Sequence, residues 1–461
     1  MTSPLHALLL RQFTKTELPH DHTFEQLRRD EFSRLDEQGQ VYLDYTGGGL
    51  HGATQIIRHM GRLLSGVHGN PHSVNPTSSV STELVEEARA KVLDFFNATE
   101  DYLCIFTANA TGALKLVGES YPFAGDTTFL LTADNHNSVN GIREYALGRG
   151  ATFQYAPLRH DLTADEARLN GLLRQRGSGG GLFAFPAQSN VSGVRHPLSL
   201  VGKAQRLGWD VLLDAAAFVP TSPLDLQKVK PQFVSMSFYK MFGYPTGLGA
   251  LLVRKDAFHK LAKRWYAGGN ITLSSVGAAD RFLHDDHQRF EDGTVNYLDI
   301  PAITEGLRFL EGIGMERIKD RIDGLALHLF GRMSRLRHAN GQPLVRFLGP
   351  HRHKQCGGTI AFNLFTAEGQ PIPFQAIEDA AGAKRISLRT GCFCNPGIDE
   401  ANHGISDEVL KGYFAGRENG DYFDFMDHSG IQRGAVRISV GIATNRKDIE
   451  KFMAFLAGFQ S

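Results

Sequence analysis

Between residues 83 and 300, short apolar runs alternate with helical patterns, and this alternation restricts the fold more than any other feature of the chain. The runs read as strands: Leu103 to Thr107, Thr128 to Thr132, Thr152 to Tyr155, Leu182 to Pro186, Asp210 to Asp214, Phe233 to Ser237 and Gly249 to Arg254. Between them, Thr82 to Phe96, Ala110 to Tyr121, Ser138 to Gly148 and Ser199 to Leu207 carry helical spacing. Strands separated by helices cannot pair as hairpins, so the expected class is α/β, a mostly parallel seven-stranded sheet covered by helices.

The pattern changes after about residue 300. A helical stretch from Asp299 to Leu336 breaks at Gly312 to Gly314. Strand-like runs follow at Gly357 to Leu364 and Ala435 to Ser439, and an amphipathic helix at Asn445 to Phe459. We therefore expect a large domain over residues 41–300 and a smaller α+β domain over 301–461. Residues 1–40, with Phe24, Leu27, Phe32 and Leu35 at helical spacing, are expected to pack on the small domain. Val41 to Tyr45 reads as a short strand ending in the Thr46 to Gly49 turn, and Gly177 to Gly181 as a surface loop.

Composition narrows the partners. Lys plus Arg number 49 and Asp plus Glu number 49, so no net field steers nucleic acid or an anionic membrane, and neither is expected. Four cysteines in 461 residues make no disulfide framework. The Leu5 to Leu10 run is too short for a secretory apolar region, no stretch is long enough to cross a bilayer, and the cytoplasm is the expected setting.

One constellation carries chemistry. Lys240 follows the run Val234 to Phe238 and precedes the turn Phe242 to Gly247. A lysine there is either solvated surface or an amine that forms an imine with an aldehyde. Asp214 closes the run Val211 to Leu213, where open α/β sheets bind ligands; it is equally an N-cap for the residues after it. Asn109 to Gly112 opens a helix after a strand, a place that binds phosphate or merely caps. His136 follows the strand ending at Thr132 and offers a flat ring for stacking. Cys392 and Cys394 lie in the polar, Gly- and Pro-containing segment Leu388 to Gly397, read as a mobile loop, with Arg389 placed to support a thiolate. A C-x-C pair without a second pair is no zinc site, and no metal is expected.

These residues together resemble the class V aminotransferase group of fold-type I pyridoxal 5′-phosphate (PLP) enzymes, especially its cysteine desulfurases. Ser237-Phe238-Tyr239-Lys240 resembles that group's S-x-H-K motif, and Arg389 to Cys394 its R-T-G-x-x-C loop. Narrower likenesses point to the desulfurase-like domain of the molybdenum cofactor sulfurases: Gly69 to Ser73, Phe106 to Leu116, Ser237 to Gly249, Arg389 to Gly397, His403 to Ser406 and Gly434 to Ser439.

The resemblance implies roles by position. Lys240 would hold PLP, Asp214 its ring nitrogen and His136 its ring face. Ala110, Thr111, Ser237 and Tyr239 would hold the phosphate, and Asn190 would contact cofactor or substrate. Arg437, with Arg389 nearby, would grip the substrate carboxylate. Gly293 and Thr294 would reach the phosphate of a partner subunit, which implies a homodimer. L-Cysteine would yield alanine and a persulfide on Cys394, with Lys240 moving the α-proton; the role of Cys392 is open. Three departures stand out. No counterpart of the sulfurases' MOSC domain occurs before Ser461, which leaves the acceptor open between molybdenum cofactor and a protein. Ile398-Asp399 stand where the sulfurase loop has a further cysteine. Ala217 stands where desulfurases have a glutamine on the cofactor's phenolic oxygen. The alternatives are another class V chemistry (epimerase, aminotransferase, C–S or C–N lyase) and a scaffold that has kept the fold.

Overall fold

The computed structural model describes residues 22–350, 355–431 and 433–461. The Leu5 to Leu10 run and half of the 1–40 segment lie outside them. The seven expected strands form one sheet: β1 (Tyr102–Thr107), β2 (Thr128–Thr132), β3 (Thr152–Ala156), β4 (Gly181–Pro186), β5 (Asp210–Asp214), β6 (Phe233–Ser237) and β7 (Gly249–Arg254). Their order is β1-β7-β6-β5-β4-β2-β3. Neighbours from β6 to β3 run parallel, while β7 is antiparallel to both β6 and β1. Every residue of β2, β4, β5 and β6 is buried, so these strands read as continuous apolar runs. Successive side chains enter opposite layers. Phe183, Phe185, Val211 and Leu213 join one core, and Leu182, Ala184 and Leu212 the other.

The principal helices are α1 (His22–Glu31), α2 (Pro76–Phe95), α3 (Ala110–Ser120), α4 (Ile300–Ile313), α5 (Met315–Met333), α6 (Pro396–His403) and α7 (Arg446–Ala457). Helix α2 begins at Pro76 rather than Thr82, because the Asn75 side chain accepts from the Ser78 N–H and Pro76 supplies a first residue that needs no donor. The helical pattern at Ser138 to Gly148 is two helices, Asn137–Asn140 and Ile142–Leu147. The first is pinned by its cap, the His136 side chain, which accepts from the Ser138 N–H. Helices α4 and α5 part at Gly314, whose φ of 93° ends α4.

A second, antiparallel sheet holds β8 (Val345–Leu348), β9 (Thr359–Leu364), β10 (Arg389–Gly391) and β11 (Ala435–Ser439) in the order β8-β9-β11-β10. Only Val41–Tyr42 of the expected Val41 to Tyr45 strand forms a ladder, and its partner is Ile386–Ser387. Asp44 then bridges to Ser439 at the end of β11. Helix α1 joins the same side: Arg28 pairs with Asp448 of α7 at 2.6 Å, both buried. Among the described residues no helix is long and apolar enough to cross a membrane.

Candidate active site

The carboxyl ends of β1, β2, β5 and β6 converge, as open α/β sheets require of a ligand site. Lys240 sits on the short helix Phe238–Phe242 that follows β6. Gly243 ends that helix at a φ of 78°, and a Cβ there would strike the backbone of Leu50 and His51. Burial pushes the Lys240 amine below its usual pKa, against the opposing charge of Asp214. Asp214 ends β5 beside Ser235 of β6. Its Oδ1 accepts from Ser235 Oγ and the Ala216 N–H, both at 3.1 Å, and no described residue bonds its Oδ2. Burial also lowers the His136 pKa, with Asp214 raising it and Lys240 and Arg437 lowering it further. Its Nδ1 accepts from the Ser138 N–H at 3.1 Å, which leaves Nε2 for the proton.

Helix α3 starts at the same place. Asn109 caps it by accepting from the Gly112 N–H, the Ala110 N–H donates to Ser237 Oγ at 2.8 Å, and Thr111 Oγ1 lies 2.7 Å from Ser138 Oγ. This donor set fits PLP. An amine stands ready for the aldehyde, an open carboxylate oxygen for the ring nitrogen and a flat ring for the face. A helix start with hydroxyls suits the phosphate. A small cavity beside Lys240 is lined in part by Ala217 and Gln188. Gln188 Nε2 donates to the Ala217 carbonyl at 3.0 Å, so an amide stands next to the position where the glutamine is missing.

Across from this group, Arg437 of β11 and Arg389 of β10 face each other in register. Asp44 holds both. Arg437 Nη2 donates to its Oδ1 at 2.8 Å, and Arg389 Nε and Nη2 donate to its Oδ2 at 3.0 and 2.7 Å. Arg437 Nη1 donates to the Asn190 carbonyl at 2.9 Å, and its buried Nε has no partner among the described residues. The sequence reading missed Asp44. The one signal was an acid inside the apolar run Val41 to Tyr45. Arg389, expected to support the cysteine thiolate, is turned to Asp44 instead.

The cysteine segment is a docked turn. The Asn395 N–H donates to the Cys392 carbonyl at 3.0 Å, and Phe393 and Cys394 adopt φ of 56° and 54°. Three anchors hold it. The Asn137 N–H donates to the Cys394 carbonyl at 2.7 Å, Asn190 Nδ2 to the Phe393 carbonyl at 2.9 Å, and Asn395 Nδ2 to the Asp134 carbonyl at 2.7 Å. Asn395 also donates to Asn190 Oδ1 at 2.9 Å, and the Arg437 guanidinium lies 4.8 Å from the centre of the Phe393 ring. The Cys394 side chain is exposed; that of Cys392 is half-buried, and burial pushes its thiol up. Beneath lies a buried pair, His196 Nε2 and Asp134 Oδ2 at 2.7 Å.

Not every expected residue joins. The Tyr239 ring lies against Gly48, with Arg389 and Asp44 as its charged neighbours, and makes no bond to the α3 start. Gly293 and Thr294 lie apart from Lys240, where Thr294 Oγ1 accepts from Asn70 Nδ2 at 3.3 Å. Among the described residues no group of three His, Cys, Asp or Glu side chains is placed to hold a metal.

Fold and site together define a fold-type I PLP enzyme. The family model for aminotransferase class-V matches residues 41–452, and the chain belongs to that family. Molybdenum cofactor sulfurases are similar over nearly the whole chain. That of Drosophila erecta is 39% identical over 95% of this chain and 60% of its own length, and that of Homo sapiens 39% over 94% and 51%. The chain thus spans little more than half the length of these relatives. Among solved structures, a cysteine desulfurase from Thermococcus onnurineus NA1 superposes with a TM-score of 0.79 at 22% identity, covering 96% of this chain and 98% of its own. One from Escherichia coli gives 0.75 at 18%, covering 94% and 97%.

Proposed function

We propose that this chain is a PLP-dependent cysteine desulfurase that converts L-cysteine to alanine and leaves the sulfur as a persulfide on Cys394. The observation that carries the reading is the docking of an exposed thiol on a turn with three anchors, one of them Asn137, the residue after His136. Epimerases and aminotransferases need no such thiol.

Bound beside Lys240, PLP supplies an electron sink for the α-carbon of an amino acid. Asp214 Oδ2 would hold the proton of the ring nitrogen, and His136, its pKa lowered by burial, would cover the ring face. The Lys240 amine takes the α-proton, for which a depressed pKa suits it. Arg437 and Arg389 fix the substrate carboxylate. Cys394 Sγ attacks the substrate sulfur: an S–S bond forms, the C–S bond breaks, and the substrate carbon takes a proton to become alanine. Atoms and electrons balance without an added reductant.

A homodimer belongs to this reading, with Gly293 and Thr294 serving the second site. The exposed apolar side chains Leu273 and Phe282, on the hairpin that precedes that loop in sequence, support it. So does a reducing, cytoplasmic setting, since Cys394 works as a free thiol. The relatives' names make molybdenum cofactor the acceptor to try first. The test is alanine release under limiting reductant, with mass spectrometry for persulfide. Cys394→Ser is expected to lose both, and a Cys394→Ser enzyme at full rate would overturn the proposal.

A further inference from the structure

The chain folds back on itself after β4. The Ser189 N–H donates to the Val194 carbonyl at 2.8 Å and the His196 N–H to the Ala187 carbonyl at 3.1 Å, and Gln188 bridges to Arg195. Asn190 stands near the tip of this loop and His196 at its foot. The tip holds the cysteine turn: Asn190 Nδ2 donates to the Phe393 carbonyl, and its Oδ1 accepts from Asn395 Nδ2. The same Asn395 amide donates to the Asp134 carbonyl, and the Asp134 carboxylate lies 2.7 Å from His196 Nε2 at the foot. The contacts therefore close a circuit, from His196 through Asp134, Asn395 and Asn190 and back along the loop.

The Asp134–His196 contact is an odd choice for stability alone. The two side chains are 0% and 2% exposed, the Phe185 ring stands edge-on to the imidazole, and the buried Asp134 Oδ1 has no partner among the described residues. Well-packed apolar side chains of the same volume commonly stabilise a core as much as such a pair does, or more. What they lack is direction, and a 2.7 Å contact between two polar atoms fixes the backbone that bears them. That backbone carries several duties in a row. The Ala133 carbonyl packs against Gly397, and the Asp134 carbonyl takes the Asn395 amide. The His136 side chain caps the helix Asn137–Asn140, and the Asn137 N–H donates to the Cys394 carbonyl. Neighbouring residues thus hold the histidine ring and the thiol-bearing residue.

We propose that Asp134 and His196 are positioning residues for Cys394, their contact closing the circuit that sets the thiol in register with the His136 ring. The inference rests on the reading of Cys394 as the residue that takes the sulfur. Neither side chain touches substrate or cofactor in this role; each acts through Asn395 and Asn190. A shift of about 1 Å in a reacting group can cost about 100-fold in rate, so a buried pair beneath the turn governs how fast the thiol reacts.

The test is Asp134→Leu and His196→Leu made together in the full chain with its PLP in place. Both charges leave at once, so the wild-type melting temperature and the PLP absorbance should be kept. Persulfide formation on Cys394 should fall in kcat by about ten-fold or more, with the KM for cysteine changed by less than about three-fold. Deuterium exchange read by mass spectrometry should quicken by about ten-fold over residues 133–140 and 389–398 and stay unchanged in β1 and β7, a local opening that general destabilisation would not give. His196→Gln alone, whose amide puts a donor in the place of Nε2, should keep at least about half of the wild-type kcat. If the leucine pair melts below wild type, Asp134→Asn decides by the same readouts, with shifts of about three-fold in the same directions. An unchanged kcat, or unchanged exchange in the turn, overturns the proposal. A wild-type chain that forms no persulfide would sink the desulfurase reading instead, and the exchange of the turn would still decide this one.

Discussion

Asp44 places one negative charge between two guanidiniums, so the Arg437–Arg389 pair keeps one unit of positive charge for a ligand. A substrate with a single carboxylate balances it. Asp44→Asn should let both arginines drift, and losing a charged hydrogen bond costs about 1.5–3 kcal/mol. The expected result is a KM for cysteine raised about ten-fold or more, with kcat reduced less and the PLP absorbance retained; steady-state kinetics and the visible spectrum check it. His196 gives a pH signature. Burial lowers its pKa, but the charge and hydrogen bond of Asp134 outweigh that and leave it raised. A raised folded pKa means the pair's stabilisation is complete below the unfolded value of about 6.5 and fades as pH climbs through the folded value. Urea unfolding of wild type and His196→Gln should therefore differ most below about pH 6.5 and converge as the pH climbs past the raised folded value. Lys240, Asp214 and His136 were legible because each follows an apolar strand run, where α/β folds put ligands. Asp44 was not, because its partners lie 345 and 393 residues along the chain.

At the scale of elements, the cysteine turn differs most from what its composition suggested. Glycine and proline in a polar segment read as a mobile loop, and in the structure the segment is folded as a turn with three anchors. Two non-glycine residues in the left-handed region cost about 1–3 kcal/mol each, and the three anchors offset that. Those anchors, Asp134, Asn137 and Asn190, are remote in sequence, so no local signal announced them. Gly397 fits α6 against β2's end: a Cβ there would collide with the Ala133 carbonyl. Gly397→Ala should lift the turn. We expect at least about a ten-fold loss in persulfide formation, as 1.4 kcal/mol of displacement gives, with PLP binding intact by absorbance. The strand and helix assignments in the large sheet held to within a few residues. Where they moved, at Pro76 and at Gly141, caps from neighbouring residues decided the boundary.

At the scale of the whole molecule, the seven-strand sheet was readable because buried parallel strands leave long apolar runs. The pairing of Val41–Tyr42 with Ile386–Ser387 was not, since a two-residue ladder has no periodicity to detect. The proposed dimer makes a prediction that one chain alone cannot meet. A Lys240→Ala chain and a Thr294→Ala chain, each weakened alone, should regain about a quarter of wild-type activity when refolded together, because half of the dimers are hybrids and one site in each hybrid has both residues. Random pairing sets that fraction, and sedimentation of the mixture checks that dimers form.

The clamp around Asp44 joins the beginning of the chain to its end: Arg389 and Arg437 are made hundreds of residues later, and Arg28 waits for Asp448. On the ribosome, chains fold from the amino terminus onward. The lysine-bearing sheet is therefore complete while the grip on a carboxylate has yet to be synthesised. A nascent chain would have Lys240 and Asp214 in place while the Arg389–Asp44–Arg437 clamp is still missing. In the proposed reaction, a substrate carboxylate could therefore be gripped only once the final strand is made.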